Sequence, residues 1–221
     1  MNQGGLEAKV LYRFFRAGDE EVLALKGISL RVDPGEFVAV VGPSGAGKST
    51  LLACLSGSEE PSGGQVTIAG KRISHRPEAE RSRIRARLIG LLHQQGNLFA
   101  HLTVEDNIAA AQRLAGSGAR SSPRTLLASV GLSEHGNALP GQLSGGELAR
   151  AGLAVALAND PAVLLADEPT GELDTIAEAM ILELMADAAA RGTAILVASH
   201  SPQVAAAADR VVRLIDGKVI A

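Results

Sequence analysis

Apolar and polar positions change their rhythm twice along the chain. In the first 94 residues, short apolar and β-branched runs at 8–15, 28–32, 36–41 and 65–69 read as strands, punctuated by Pro34-Gly35 and Ser62-Gly63-Gly64. Between 103 and 158 the apolar spacing becomes helical, with breaks at 116–122, at Gly131 and at Pro140-Gly141, and no good strand among them. From Ala162 strands return. An apolar run at 162–167 is followed by a helix-period stretch at 176–190, a strand at 194–198, a short helix after Pro202 and a strand at 211–215. Strands that are apolar throughout and alternate with helices predict a parallel sheet covered on both faces. The expected fold is therefore an α/β core interrupted by an all-helical subdomain.

The strand FVAVV runs directly into Gly42-Pro43-Ser44-Gly45-Ala46-Gly47-Lys48-Ser49-Thr50 and then into the apolar helix LLACL. This is a phosphate-binding loop in its required strand-loop-helix setting. Its glycines let backbone N–H groups turn toward phosphate oxygens, and the helix N-terminus adds the positive end of its dipole. Lys48 then reaches the β and γ phosphates, and Ser49 offers a hydroxyl to Mg²⁺. The apolar strand AVLLA ends in Asp167 and Glu168. Asp167 is placed to hold Mg²⁺ opposite Ser49, and Glu168 to polarise an attacking water as general base.

Composition narrows the alternatives. Hydrophobic residues make up 46% of the 221 positions and aromatics 2%, so the core is aliphatic and aromatic cages or base-stacking platforms are excluded. A formal charge of −3 argues against a protein whose main work is neutralising nucleic-acid phosphates. One cysteine, Cys54, allows no internal disulfide, fits a reducing compartment, and reads as an apolar filler in a helix. The opening MNQGGLEAKV has no cationic leader followed by an apolar run, and no stretch is apolar enough for a membrane span, so a cytoplasmic chain is expected.

A phosphate-binding loop alone does not separate kinases, GTPases and transport ATPases. Leu143-Ser144-Gly145-Gly146-Glu147, opening a helix just before the Asp167 strand, resembles the signature of the ATP-binding-cassette (ABC) ATPases. The resemblance covers essentially the whole chain. It implies an α/β fold: a P-loop NTPase (RecA-like) core with an N-terminal antiparallel β subdomain and an inserted helical subdomain. The expected single domain is 1–221, with the core at about 1–94 and 159–221 and the helical subdomain at about 95–158.

In that family ATP on the P-loop of one subunit is closed over by the signature of another, which implies a head-to-tail dimer of this chain with itself or a homologous cassette. Gln94 matches the glutamine that senses Mg²⁺ and the γ-phosphate near the membrane partner. Gly171-Glu172-Leu173-Asp174 resembles the D-loop, with Asp174 at the dimer interface, and His200 resembles the switch histidine on the γ-phosphate. Tyr12 takes the place of the ring that stacks on adenine, with Phe14 and Phe15 as competitors. The wording GPSGAGKSTLL and LADEPTGELD is similar to the subgroup of macrolide exporters, lipoprotein-releasing complexes and the cell-division ATPase.

Against the family pattern, His93 replaces an apolar or aromatic residue, Leu148-Ala149 a polar pair, Val155 an arginine and Ser201 an aspartate. These departures touch interface geometry and rate, not the reaction class.

The resemblance implies a subunit that hydrolyses ATP with Mg²⁺ and powers transmembrane permease subunits, held peripherally on the inner face of the membrane, with no nucleic acid as partner. Two alternatives stand beside it: an ABC ATPase acting on DNA or ribosomes, and a regulatory cassette in a heterodimer. The basic run 81–87 reads as a solvated helix face, with anionic lipid headgroups or a partner's acidic loop as the alternative.

Overall fold

The computed structural model describes residues 4–17, 20–116 and 121–220. The first three residues of the opening segment and part of the break at 116–122 lie outside them. The elements run β1 (Leu6–Ala17), β2 (Glu20–Val32), β3 (Phe37–Val41), α1 (Lys48–Leu55), β4 (Gly63–Ile68), β5 (Lys71–Arg72), α2 (Glu78–Leu88) and β6 (Ile89–Leu92). They continue with α3 (Val104–Ala115), α4 (Pro123–Ser129), α5 (Gly145–Ala156), β7 (Val163–Asp167), α6 (Thr175–Ala190), β8 (Ala194–Ala198), α7 (Pro202–Ala207), β9 (Arg210–Ile215) and β10 (Lys218–Ile220). Two short 3₁₀ turns, Ser133–His135 and Pro140–Gln142, precede α5.

Among the described residues ten strands form two sheets. The larger has the order β10-β9-β3-β8-β7-β6, parallel throughout except for β10 on β9. The smaller, β2-β1-β4-β5, is antiparallel. Because side chains alternate along a strand, each central strand feeds two cores. Val38, Val40, Val163, Leu165 and Leu196 join Leu51 and Leu55 of α1 and the inner face of the small sheet. Phe37, Ala39, Leu164, Ala166, Ile195 and Val197 turn the other way, against Ile181 and Met185 of α6 and Leu153 of α5. This double burial explains why β3, β7 and β8 lack a polar face.

Between 95 and 158 the described residues hold α3, α4 and α5, no strand, and a separate apolar cluster built on Val104, Ile108, Leu127 and Leu132. Cys54 is buried on α1, where burial pushes its thiol up to about 11. Among the described residues no helix is long and apolar enough to cross a membrane.

Candidate active site

Parallel register brings the chemistry together. Val40 of β3 and Asp167 of β7 both pair with Ala198 of β8, so the loops leaving these three strands emerge side by side at the carboxyl edge, where open α/β sheets hold ligands. The cleft there has a volume of about 670 Å³ and is lined by Gly42–Gly45, Gly47–Thr50, Asp167, Glu168, His200 and, from β2, Ala24. Ala46 of the same loop is buried beneath it.

The loop is held tightly. A Cβ on Gly42 would stand 2.1 Å from the Leu214 carbonyl oxygen, and Gly47, at φ 101°, would meet that of Ala24 at 2.8 Å. Only glycine takes both places without displacing backbone. Lys48 closes the loop on itself, its Nζ donating to the carbonyls of Gly42 at 2.8 Å and Pro43 at 3.3 Å. Ser49 and Asp167 line the cleft together and share a smaller cavity of about 90 Å³ behind it. A hydroxyl beside a carboxylate is a donor set of hard oxygens, which suits Mg²⁺.

Glu168 is the most constrained group in the cleft. Its backbone is left-handed at φ 46°, a conformation that costs a non-glycine residue about 1–2 kcal/mol. The backbone N–H is anchored on the Ala198 carbonyl at 2.9 Å. The Ser199 hydroxyl donates to Oε2 at 2.9 Å, the His200 N–H to the same oxygen at 3.3 Å, and His200 Nδ1 lies 2.9 Å from Oε1. Partial burial pushes the carboxyl up, but the hydrogen bonds from His200 and Ser199 and the His200 charge outweigh it, leaving Glu168 below the ordinary glutamate value. The carboxylate side chain is 18% exposed and His200 is 74% exposed, which leaves the imidazole's other nitrogen free to face a ligand.

The segment Leu143–Glu147 contributes nothing to this cleft. Ser144 is the N-cap of α5 in a capping box: its hydroxyl donates to Glu147 Oε2 at 2.7 Å, and that oxygen accepts the Ser144 N–H at 2.8 Å. Gly146 packs against Ala177, whereas a Cβ on Gly145 would meet nothing within 4 Å. Packing within this chain therefore constrains Gly146, the second glycine of the pair, and leaves the first, Gly145, open. Asp174 caps α6, accepting the Ala177 N–H at 2.8 Å.

The ABC transporter family model matches residues 25–171. A lipoprotein-releasing system ATP-binding protein, LolD 1 of Rhodospirillum rubrum, is 43% identical over the full length of both chains. The chain belongs to the ABC transporter family. It is one of the family's ATP-binding, ATP-hydrolysing cassettes, on a P-loop NTPase α/β fold. A macrolide export ATP-binding/permease protein, MacB of Hyphomonas neptunium, is 41% identical over 97% of this chain, which spans about a third of that relative's length (34%). Among solved structures, the dimeric cassette MJ0796 in a post-hydrolysis state with ADP and Pi superposes with a TM-score of 0.89. It is 33% identical, and the match covers 98% of this chain and 97% of that one.

Two expected residues of the cassette are not at the cleft. Tyr12 stays on the small sheet, its ring against Gly27 and Gly63, and neither it nor Phe14 or Phe15 lines the cleft. Register shifts in β1 on both sides of Tyr12 set which face each ring takes, and residue counting cannot see them. The Arg13 guanidinium lies over Phe15 instead, 4.6 Å from its centroid. Gln94 is also outside the cleft: its side-chain amide donates to Glu172 at 3.3 Å, and that of Gln95 donates to the same carboxylate at 2.8 Å. His93 is the residue of this loop that reaches the cavity shared by Ser49 and Asp167.

Sequence reasoning missed Ser199, Ala24 and Glu172. Ser199 was legible only as the end of an apolar strand, because its role comes from the β7–β8 register. Ala24 enters the cleft from β2 with no local motif to mark it.

Proposed function

We propose that the cassette works as one half of a head-to-tail dimer that closes over two ATP molecules and thereby drives transmembrane permease subunits, from the inner face of the membrane. The observation that carries this reading is the Glu168 carboxylate, ionised and fixed by Ser199 and His200 on the wall of the P-loop cleft. An ionised carboxylate of fixed orientation at the γ-phosphate end of such a cleft is a general base for water.

ATP phosphates enter along the loop N–H groups, and Lys48 exchanges the Gly42 and Pro43 carbonyls for phosphate oxygens. Ser49 and Asp167 would hold Mg²⁺, which neutralises phosphate charge when bound. Glu168 takes the proton of the attacking water as its oxygen bonds to the γ-phosphorus and ADP leaves. His200 steadies the γ-phosphate through its free ring nitrogen, and Ser144, Gly145 and Gly146 of a partner cover it from the opposite side. Gln94 would help hold the metal only with its amide released from Glu172, so its role belongs to the loaded state. Asp174, already a helix cap, faces the partner from the start of α6. The relatives named for lipoprotein release and macrolide export support an export or mechanotransmission complex as the setting.

Glu168→Gln tests the reading. ATP binding should persist, turnover should fall about 100- to 10,000-fold, and size-exclusion chromatography with ATP should show a stable dimer. A variant that stays monomeric with undiminished turnover defeats it.

A further inference from the structure

The helix α2 divides the arginines around it between two faces. Arg81 and Arg85, one turn apart, are spent on carboxylates and carbonyls. Arg81 pairs with Glu60 at 2.9 Å and Glu78 at 2.6 Å, and Arg85 with Glu78 at 2.7 Å and the Gly57 carbonyl at 2.9 Å. Arg76, just ahead of the helix, and Glu80, Arg83 and Arg87 follow one another at helical spacing along a different stripe. That stripe meets Lys71 and Arg72 of β5 across a cleft of about 400 Å³. Ile84 and Leu88 also line it, and Gly70, at φ 78°, opens its rim with no atom within 4 Å of where a Cβ would stand.

Charge in this cleft is not neutralised from within. Glu80 is the single carboxylate among its lining residues, and Arg76 already approaches it at 3.8 Å. Arg72 and Arg87 each spend Nε on a backbone carbonyl, Ser74 at 3.1 Å and Ala115 at 2.9 Å. Each guanidinium is thereby anchored while its terminal N–H groups have no partner among the described residues. Lys71 and Arg83 have no side-chain hydrogen bond or ion pair among the described residues at all.

Like charges gathered in a concavity repel one another unless an anion joins them. Anchored guanidinium forks with free N–H pairs match phosphate oxygens two at a time. The volume is that of a small-ligand site, and the apolar lining distinguishes it from a merely solvated helix face.

We propose that this cleft binds a phosphate-bearing anion, at a site that shares no residue with the P-loop cleft. The anion is supplied either by anionic phospholipid headgroups or by a soluble polyphosphate. The full chain, with its P-loop held by saturating ADP, separates the two sources. One arm is co-sedimentation with vesicles of phosphatidylglycerol in phosphatidylcholine, and the other is calorimetric titration with tripolyphosphate.

Wild type should bind at least one probe, more weakly as salt rises. The pair Lys71→Gln and Arg83→Gln, which removes no side-chain hydrogen bond or ion pair among the described residues, should weaken that binding about tenfold with basal ATPase activity unchanged. A control pair, Lys26→Gln and Lys218→Gln, should stay within about twofold of wild type. Binding to vesicles alone assigns the headgroup, and binding to tripolyphosphate assigns the soluble anion. Binding of neither probe overturns the proposal. So does equal binding by wild type and the Lys71/Arg83 pair, or equal loss in the control pair.

Discussion

Ser144 and Glu147, which close a capping box on α5, belong to the segment proposed to cover a partner's ATP. The Ser144 hydroxyl, and then its backbone N–H, hold the Glu147 carboxyl below the ordinary glutamate value, with His135 3.3 Å from the other oxygen. A carboxylate whose folded value is depressed contributes stability that is present above its unfolded value and is lost as pH falls through the folded one. Glu147→Gln should therefore melt below wild type at neutral pH, and thermal melts taken toward acid should show the gap closing. A gap that stays constant with pH would assign the loss to packing.

Tyr12 carries a second expectation at this scale. With its ring on Gly27 and Gly63, Tyr12→Ala should lower stability while leaving affinity for a fluorescent ATP analogue within about twofold, since the lost contacts are apolar packing. An affinity loss of tenfold or more would return Tyr12 to the adenine site. The contrast with Lys48, Ser49 and Asp167 shows what a sequence displays. Those residues sit in motifs whose geometry is local, a loop between a strand and a helix or the last residue of a strand. The Tyr12 ring depends on bulges between two strands, and the Ser199 hydroxyl on which strand lies beside β7.

At the scale of elements, α6 and α7 are joined by a buried carboxylate. Glu178 of α6, 7% exposed, accepts hydroxyl hydrogen bonds from Thr170 at 2.9 Å and Ser201 at 2.7 Å. Ser201 also caps α7 through the Gln203 N–H. The departure at Ser201 thus has a structural complement: the carboxylate next to the His200 loop comes from α6. Thr170→Val leaves Glu178 with one donor fewer in a buried place and should cost about 1–3 kcal/mol in urea unfolding. A loss under half a kilocalorie, by the same measure, would mean that water replaces the hydroxyl.

Helix α2 was only faintly legible from periodicity, because Ile84 is its one buried side chain and Glu60 and Glu78 hold it through ion pairs. The central strands were plain for the opposite reason. Buried on both faces, β7 and β8 carry unbroken apolar runs whose ends matched the expected ones to within a residue.

Across the whole molecule, the P-loop and Ser144 belong to one chain and line different surfaces. In a head-to-tail dimer, each pocket then draws one component from each copy, and the consequence is combinatorial. Take one population disabled at Lys48→Ala and another at Ser144→Arg. A homodimer of either kind has one spoiled component in every pocket and is inactive. A mixed dimer collects both defects in one pocket and leaves the other whole. Random pairing of equal amounts makes half the dimers mixed, so combining two dead preparations should restore about a quarter of the wild-type ATPase rate if the two pockets fire independently. If one pocket cannot fire without its twin, the mixture stays silent. The same tube of protein thus reports whether the motor counts its ATP singly or in pairs.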